Sequence, residues 1–230
     1  MNSRWIDVRS ADNRNFGAFV ATPPTGTGPG ILLIQEIFGV NEHIRGVAQQ
    51  YALDGYTVLA PDLFWRTEPR LDLGYGQADF AKGFDIMQKT DFTKAVQDLG
   101  AAAGALRALP ECKGKIASLG YCMGGLLSYL TAASGAVDGA VCYYGGGIGD
   151  QLGVAGKVQV PILFHFAAKD QYIPLSAVEA VRRAFASHRS AAVHLYPDVD
   201  HGFNCWGRPM YSQKAAALAH GRSLEFLSAL

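Results

Sequence analysis

One cysteine of the chain stands in a pattern that would make it a nucleophile. Cys122 lies in Gly120-Tyr121-Cys122-Met123-Gly124, between a strand-like and a helix-like stretch. This is the G-x-S-x-G nucleophile elbow with cysteine in place of serine. The glycines leave room where a Cβ would clash, and the turn puts the sulfur at a helix N-terminus, which favours a thiolate. The alternative is a buried cysteine in a tight turn, because the pattern alone is a weak signal.

Two partners for this cysteine follow downstream, each just after a predicted strand. Asp170 follows the strand Pro161–Phe166, and His201 follows the strand Ala192–Tyr196. The order nucleophile, acid, histidine accompanies this kind of elbow. A base within reach of the thiol, with a carboxylate to fix its tautomer, is what nucleophilic catalysis requires. An aspartate after a strand is also a common local cap, so that alternative stays open for Asp170.

The other histidines and aspartates are weaker candidates. Only His201 begins a loop beyond a strand, and Asp200 adjoins it in sequence, which makes reaching the ring Nδ1 awkward. Asp150 and Asp198 are less well placed than Asp170. Two of the remaining histidines, His165 and His194, are expected in strands as core or face residues. The other three are expected on helices at the surface: His43, His188 and His220.

Strand-like and helix-like stretches alternate along the chain, which predicts parallel strands with helices on both faces of a sheet. Ligand sites in such sheets lie beyond the carboxyl ends of the strands, where Cys122, Asp170 and His201 fall. We predict a single α/β domain over residues 1–230, with an N-terminal hairpin at the sheet edge. The predicted strands are Trp5–Arg9, Phe16–Ala21, Ile31–Gln35, Tyr56–Ala60, Lys115–Leu119, Ala140–Tyr144, Pro161–Phe166 and Ala192–Tyr196. The predicted helices are Asn41–Asp54, Asp91–Leu109, Leu126–Ala133, Leu175–Ser187 and Gln213–Leu230.

Composition excludes several classes of function. The 230 residues include 20 basic and 20 acidic ones, so the formal charge is zero, which argues against non-specific nucleic-acid binding and a polybasic membrane anchor. No apolar run approaches the ~18–20 residues of a membrane span. The first 15 residues carry charges throughout, unlike a secretory signal. We therefore expect a cytoplasmic protein.

Neither a disulfide framework nor a cofactor motif is predicted. The four cysteines form no C-x-x-C pair, which favours reduced thiols. No metal-ligand spacing such as H-x-x-x-H occurs, so no metal is expected. The glycine-rich stretch GGGIG at 145–149 lacks the Lys-Ser/Thr of a phosphate-binding loop, and we expect tight turns there and no cofactor.

Several motifs between residues 35 and 203 carry a family resemblance. They are QEIFGVN at 35–41, GY at 55–56, PDL at 61–63, GYCMGG at 120–125, YYG at 143–145 and DVDHGF at 198–203. Together they resemble the dienelactone hydrolase (carboxymethylenebutenolidase) family. The resemblance implies the α/β-hydrolase fold and a catalytic triad of Cys122, Asp170 and His201. It implies hydrolysis of a lactone to a keto acid in the degradation of aromatic ring-cleavage products.

The same resemblance gives roles to residues that follow the strand at 31–35. Glu36 would interact with the resting thiol and help to create the thiolate when substrate binds. The backbone N–H groups of Ile37 and Met123 would form the oxyanion hole. Judged on its residue type alone, Glu36 could equally be a surface-loop carboxylate.

The chain departs from the family where substrate is bound. Family members that act on dienelactone hold its carboxylate with two arginines, and here Cys205 and Phe80 stand at those places, with Lys82 nearby. Arg208, three residues after Cys205, is a candidate to substitute for the missing arginine, although the spacing alone does not show that it does. Losing a bidentate guanidinium weakens carboxylate recognition, and lysine is not equivalent. The predicted substrate-binding residues are Phe38, Phe80, Lys82, Tyr144, Phe203, Cys205 and Arg208.

These observations predict a hydrolase of carboxylic esters or lactones with a Cys122 nucleophile. The partner is a small-molecule substrate, and the chain acts as a monomer or weak homodimer. One alternative is a broader carboxylesterase or arylesterase without carboxylate preference, with some activity on phosphotriesters. Another is a thiol redox sensor or binding protein that uses the cysteine without ester turnover.

Overall fold

The computed structural model describes residues 2–230. By internal packing they divide into two compact units, one reaching to Ser118 and the other beginning at Leu119. Met1, the first residue of the predicted domain, lies outside the described residues. The prediction of a single domain stays a prediction.

The first unit begins with an antiparallel hairpin, as predicted. Its strands β1 (Asn2–Arg9) and β2 (Asn15–Thr22) pair with Trp5 opposite Phe19. Strand β2 pairs antiparallel with β4 (Thr57–Pro61), which pairs parallel with β3 (Gly28–Ile34). The helices of this unit are α1 (Glu42–Leu53), α2 (Gln77–Lys89) and α3 (Phe92–Ala108).

The second unit continues from strand β5 (Cys112–Tyr121), which contains the boundary between the units. Its strands β6 (Gly139–Tyr143), β7 (Ile162–Ala167) and β8 (Ala191–Tyr196) form two parallel pairs, β6 with β7 and β7 with β8. Its helical elements are α4 (Met123–Ala133), a 3₁₀ segment (Ile148–Lys157), α5 (Leu175–Ala184) and α6 (Gln213–Ser228).

The strand order is β1-β2-β4-β3-β5-β6-β7-β8 in one eight-stranded sheet. The α/β class and a mostly parallel sheet are thus confirmed. Strands β3, β4, β6 and β7 are almost wholly buried, which explains why they appear in the sequence as continuous apolar runs.

Polar caps fix where several helices begin. The Asn41 side chain accepts the N–H of Ile44 at the start of α1, and Asp91 accepts the N–H groups of Thr93 and Lys94 at the start of α3. Such caps satisfy N–H groups that have no acceptor within the helix. Both helices begin within one residue of the predicted position.

Other expectations differ from the structure. Helix α2 was not predicted, and the segment after Gly147 forms a 3₁₀ helix in place of simple turns. The expected surface position of His43 is wrong, because its side chain is buried in α1. His188 follows the end of α5 and lies on no helix. Among residues 2–230, no helix is both long and apolar enough to cross a membrane.

Candidate active site

Cys122 lies on the sharp turn between β5 and α4. Its backbone has φ +56° and ψ −118°, a conformation that side-chain-bearing residues rarely adopt. Its N–H donates to the carbonyl of Tyr143 at 3.0 Å, and its own carbonyl accepts the N–H of Gly125 at 2.9 Å. The turn is therefore tied both to the neighbouring strand β6 and to the first turn of α4.

The glycines around the turn permit this close packing. A Cβ at Gly120 would overlap the carbonyl oxygen of Gly124, which is the crowding expected at the position two residues before Cys122. A Cβ at Gly125 would lie 2.5 Å from the Tyr143 carbonyl oxygen and 2.9 Å from the Cα of Gly145. Only glycine fits at these positions, because the crowding atoms belong to the backbone.

His201 and Asp170 meet beyond the ends of β8 and β7. Oδ2 of Asp170 lies 2.8 Å from Nδ1 of His201, and the two side chains are 0% and 5% exposed respectively. Oδ1 of Asp170 accepts the backbone N–H groups of Tyr172 at 2.8 Å and Ile173 at 3.1 Å. The carboxylate is thus held by the loop on one side and presents its second oxygen to the ring.

Asp200, the rival acid, contacts backbone groups. Its Oδ1 accepts the N–H of His201 at 2.6 Å and that of Gln171 at 3.4 Å. As predicted, Asp200 adjoins His201 in sequence but does not reach its Nδ1. Of these two aspartates, Asp170 is the one whose carboxylate is hydrogen-bonded to the ring.

The surroundings of His201 favour its protonated form. Burial disfavours the imidazolium, but the Cys122 sulfur and the Asp170 carboxylate, each interacting with the ring by charge and by hydrogen bond, together raise the pKa of His201 to about 10. Because Nδ1 of the ring is hydrogen-bonded to Asp170, the hydrogen bond to Cys122 involves the other ring nitrogen, Nε2. A cysteine, a histidine and an aspartate are therefore linked in series, which is the arrangement of a nucleophile, its base and the group that orients the base.

Two tyrosine rings flank His201. The buried Tyr144 ring lies 5.0 Å away at 59°, and the exposed Tyr172 ring lies 5.0 Å away at 82°. Tyr144 also has a positive φ of +35°, so two strained backbone positions, Tyr144 and Cys122, adjoin the same histidine. Sequence reasoning missed Tyr172, although its place two residues after Asp170 was a signal that could have drawn attention to it.

The other candidates of the second unit lie around the loop after His201. Phe203 is buried, with its ring 5.4 Å from that of Tyr144. Cys205, where the family resemblance calls for arginine, is fully buried. Arg208 is half-buried, and its Nη1 would lie 2.5 Å from a Cβ at Gly202, so its guanidinium packs beside the residue that follows His201.

The candidates of the first unit follow β3 or lie on α2. Glu36 is 1% exposed, which excludes the surface-loop alternative. Ile37 is buried, and a Cβ at Gly83 of α2 would overlap its carbonyl oxygen. Helix α2 is therefore packed directly on the backbone of this loop.

The predicted substrate-binding residues of this unit separate into two environments. The Phe80 ring lies 6.3 Å from that of Phe38, which is itself buried against Tyr75. The Lys82 ammonium instead forms an exposed ion pair with Glu68 at 2.6 Å. Phe38 and Phe80 thus pack together, whereas Lys82 is engaged at the surface.

Several known proteins are similar to this chain over most or all of its length. Residues 16–230 match the model of the dienelactone hydrolase family. The chain is 36% identical to a carboxymethylenebutenolidase of Pseudomonas putida, over all of this chain and 98% of that one. It is 31% identical to carboxymethylenebutenolidase 1 of Cupriavidus pinatubonensis (strain JMP 134), with the same coverage. A crystal structure of a protein from Klebsiella pneumoniae subsp. pneumoniae MGH 78578, assigned to the dienelactone hydrolases, superposes with a TM-score of 0.87 at 27% identity over the full length of both chains.

Proposed function

The chain belongs to the dienelactone hydrolase family, and we propose that it cleaves lactones and activated esters with Cys122 as nucleophile, His201 as base and Asp170 as the residue that orients it. Membership makes the chain a hydrolase of ester or lactone bonds, which sets aside the redox-sensor alternative. The observation that carries the proposed mechanism is the Asp170–His201 hydrogen bond of 2.8 Å in series with the Cys122 sulfur.

The reaction would proceed in two halves. The Cys122 thiolate attacks the carbonyl carbon, and the tetrahedral oxyanion collapses to a thioester as the His201 imidazolium gives its Nε2 proton to the departing oxygen. The neutral ring then takes a proton from water, whose oxygen attacks the thioester. The carboxylic acid leaves, and the thiolate and imidazolium return. Esters with good leaving groups suit such a site, because expulsion of the alkoxide competes with return of the thiolate.

The oxyanion would be held by the N–H groups of Ile37 and Met123, a role that rests on the family resemblance. Met123 is the first residue of α4, where backbone N–H groups lack an acceptor within the helix. The proposed role of Glu36, generating the thiolate when substrate binds, rests on the same resemblance, and its burial is compatible with that role.

Two substrate classes remain in competition. The names of the relatives favour a dienelactone, and the Arg208 guanidinium beside Gly202 offers a cation for its carboxylate. A neutral aryl or alkyl ester is favoured by Cys205, which is buried and uncharged where the family has arginine, and by Lys82, whose charge is paired with Glu68. The second candidate function is therefore a general esterase, with phosphotriesters among its side activities.

The deciding experiment compares kcat/KM on a dienelactone with that on a neutral aryl ester of similar reactivity. If the dienelactone is preferred and Arg208→Ala removes the preference, the substrate carboxylate is recognised through that arginine. Equal or reversed preference supports the general esterase. No turnover of either substrate would contradict the proposed function.

Compartment and assembly are further proposals. The four cysteines are all free, which is typical of a reducing compartment, and we infer a cytoplasmic location. Since Cys122, Asp170 and His201 come from one chain, we propose that a monomer or weak homodimer is active. Activity at concentrations where sedimentation shows monomer only would support this assignment.

A further inference from the structure

A small cavity of about 230 Å³ lies within the second unit, between the 3₁₀ segment and the start of α5. The buried side chains that line it are apolar and include those of Ile148, Phe166 and Val181. Gly149 and Ala177 approach each other across it, and a Cβ at Gly149 would lie 3.1 Å from that of Ala177. None of these residues takes part in the proposed chemistry.

Tyr172 joins this cavity to the candidate active site. Tyr172 is one of the residues that line the cavity, its ring stands nearly perpendicular to the His201 ring at 5.0 Å, and its N–H donates to Asp170. Although it is a large aromatic residue, it is 53% exposed. An exposed ring held beside a base offers a surface on which a planar apolar group can pack.

The lining restricts the chemistry of the occupant. Asp150 carries the only charge among the described residues that line the cavity, and its side chain is exposed. No cation is present there to pair with a carboxylate, so an anionic group would be repelled and a neutral apolar one accepted. A cavity of roughly 150 Å³ holds benzene, so this one accommodates a phenyl ring or a short alkyl chain but not a whole drug-sized ligand.

We propose that this cavity binds the alcohol portion of a neutral ester and that Tyr172 is a specificity-determining residue for it. The inference rests on the proposed function, in which the His201 proton goes to the departing oxygen. The departing group must therefore lie beside His201, where Tyr172 presents an exposed ring and also contributes to the lining of the cavity. The site thereby selects esters of apolar alcohols, such as aryl esters, over those of small ones.

The test uses phenyl acetate and 2,2,2-trifluoroethyl acetate, which share an acyl group and differ in the apolar size of an activated alcohol. The readout is the ratio of kcat/KM for the two esters. We expect Tyr172→Ala to lower the ratio of kcat/KM for phenyl acetate to that for trifluoroethyl acetate by about three- to tenfold, which is the effect of losing one aromatic contact. Tyr172→Phe keeps the ring and should restore the preference. Tyr211→Ala, at an exposed tyrosine that does not line the cavity, is the matched control.

A second variant narrows the cavity without touching Tyr172. Ala177→Leu should lower the same ratio, whereas Ala184→Leu, on the exposed end of the same helix, should leave it unchanged. If Tyr172→Ala and Ala177→Leu lower kcat/KM equally for the two esters, or change it for neither, the subsite proposal is wrong while the hydrolase function stands. If wild-type protein turns over neither ester, the proposed function itself fails.

Discussion

Replacing Asp170 by asparagine would reverse one hydrogen bond at His201 while keeping the size of the side chain. Oδ1 of Asp170 accepts the N–H groups of Tyr172 and Ile173, and Oδ2 faces Nδ1 of His201 at 2.8 Å. In asparagine only the oxygen can accept, so it must stay with the two backbone donors, and the amide NH₂ then faces the ring. Nδ1 must become an acceptor, which puts the ring proton on Nε2 toward Cys122. The ring can then neither act as base nor exist as imidazolium.

The magnitude follows from the interactions that are lost. A hydrogen bond to a charged group contributes about 1.5–3 kcal/mol, and fixing the wrong tautomer in a serine triad lowers kcat by about 10⁴-fold. We expect Asp170→Asn to lower kcat/KM by about 10²- to 10⁴-fold, equivalent to about 3–5 kcal/mol. The assay is steady-state hydrolysis of a neutral aryl ester at neutral pH, with circular dichroism to confirm folding.

Asp200→Asn is the matched control for this prediction. Asp200 also adjoins His201, but it accepts only backbone N–H groups, and an amide oxygen can do the same. Its kcat/KM should change little. A folded Asp170→Asn protein within about tenfold of wild type, or an Asp200→Asn protein impaired as severely, would refute the assignment of Asp170 as the residue that orients the base.

Three further predictions concern charge and burial. The pKa of His201, raised to about 10 against the effect of burial, should fall in Cys122→Ala, because the sulfur that favours the imidazolium is gone; NMR titration of the ring measures it. Burial, and to a lesser extent neighbouring positive charge, hold the pKa of His165 well below 6.5. As the pH falls below 6.5, the His165 ring therefore binds a proton in the unfolded chain but not in the folded protein. The free energy of unfolding should therefore decrease below pH 6.5, by up to about 1.4 kcal/mol per pH unit for this residue, and urea titrations at several pH values measure it. Arg66→Ala leaves the Asp98 carboxylate, which is 2% exposed, without its ion pair, and should lower that free energy at neutral pH by about 2–3 kcal/mol.

Each of these has a control. His201 in the Tyr211→Ala protein should titrate as in wild type, and an unchanged pKa in Cys122→Ala would contradict the interaction with sulfur. His165→Gln should flatten the acid loss of stability, and an equally steep loss would point to other groups. Arg182→Ala breaks an exposed pair with Glu179 and should change the free energy of unfolding by less than about 1 kcal/mol. An Arg66→Ala effect no larger than that would show that the hydrogen bond from Trp65 Nε1 to Asp98, at 2.9 Å, is enough for this carboxylate without the ion pair.

Much of the fold follows from local signals. Buried strands appear as short apolar runs, and Asn41 and Asp91 mark helix starts because their side chains cap backbone N–H groups. Helix α2 lacks both signals, since Gly76 at its N-cap has no capping side chain and only Gly83 and Ile86 are buried. His43 was misplaced although it stands four residues before the buried Val47, on the same face of α1.

The candidate site was predictable where it depends on chain order. Cys122, Asp170 and His201 each follow a strand, and the carboxyl ends of parallel strands meet at one edge of the sheet. Chain order placed Tyr172 near the site, two residues after Asp170, but the contact of its ring with His201 depends on how the loop before α5 folds. The burial of Glu36 likewise depends on packing around its loop, which periodicity does not describe.

The most direct test of the account is mass spectrometry of the protein quenched during turnover of an activated ester. We expect a mass increase of one acyl group, located on the peptide that contains Cys122. Cys122→Ala should show neither the adduct nor turnover. An acyl group on another residue, or a Cys122→Ala protein that still hydrolyses the ester at the wild-type rate, would contradict the central claim that this cysteine is the nucleophile.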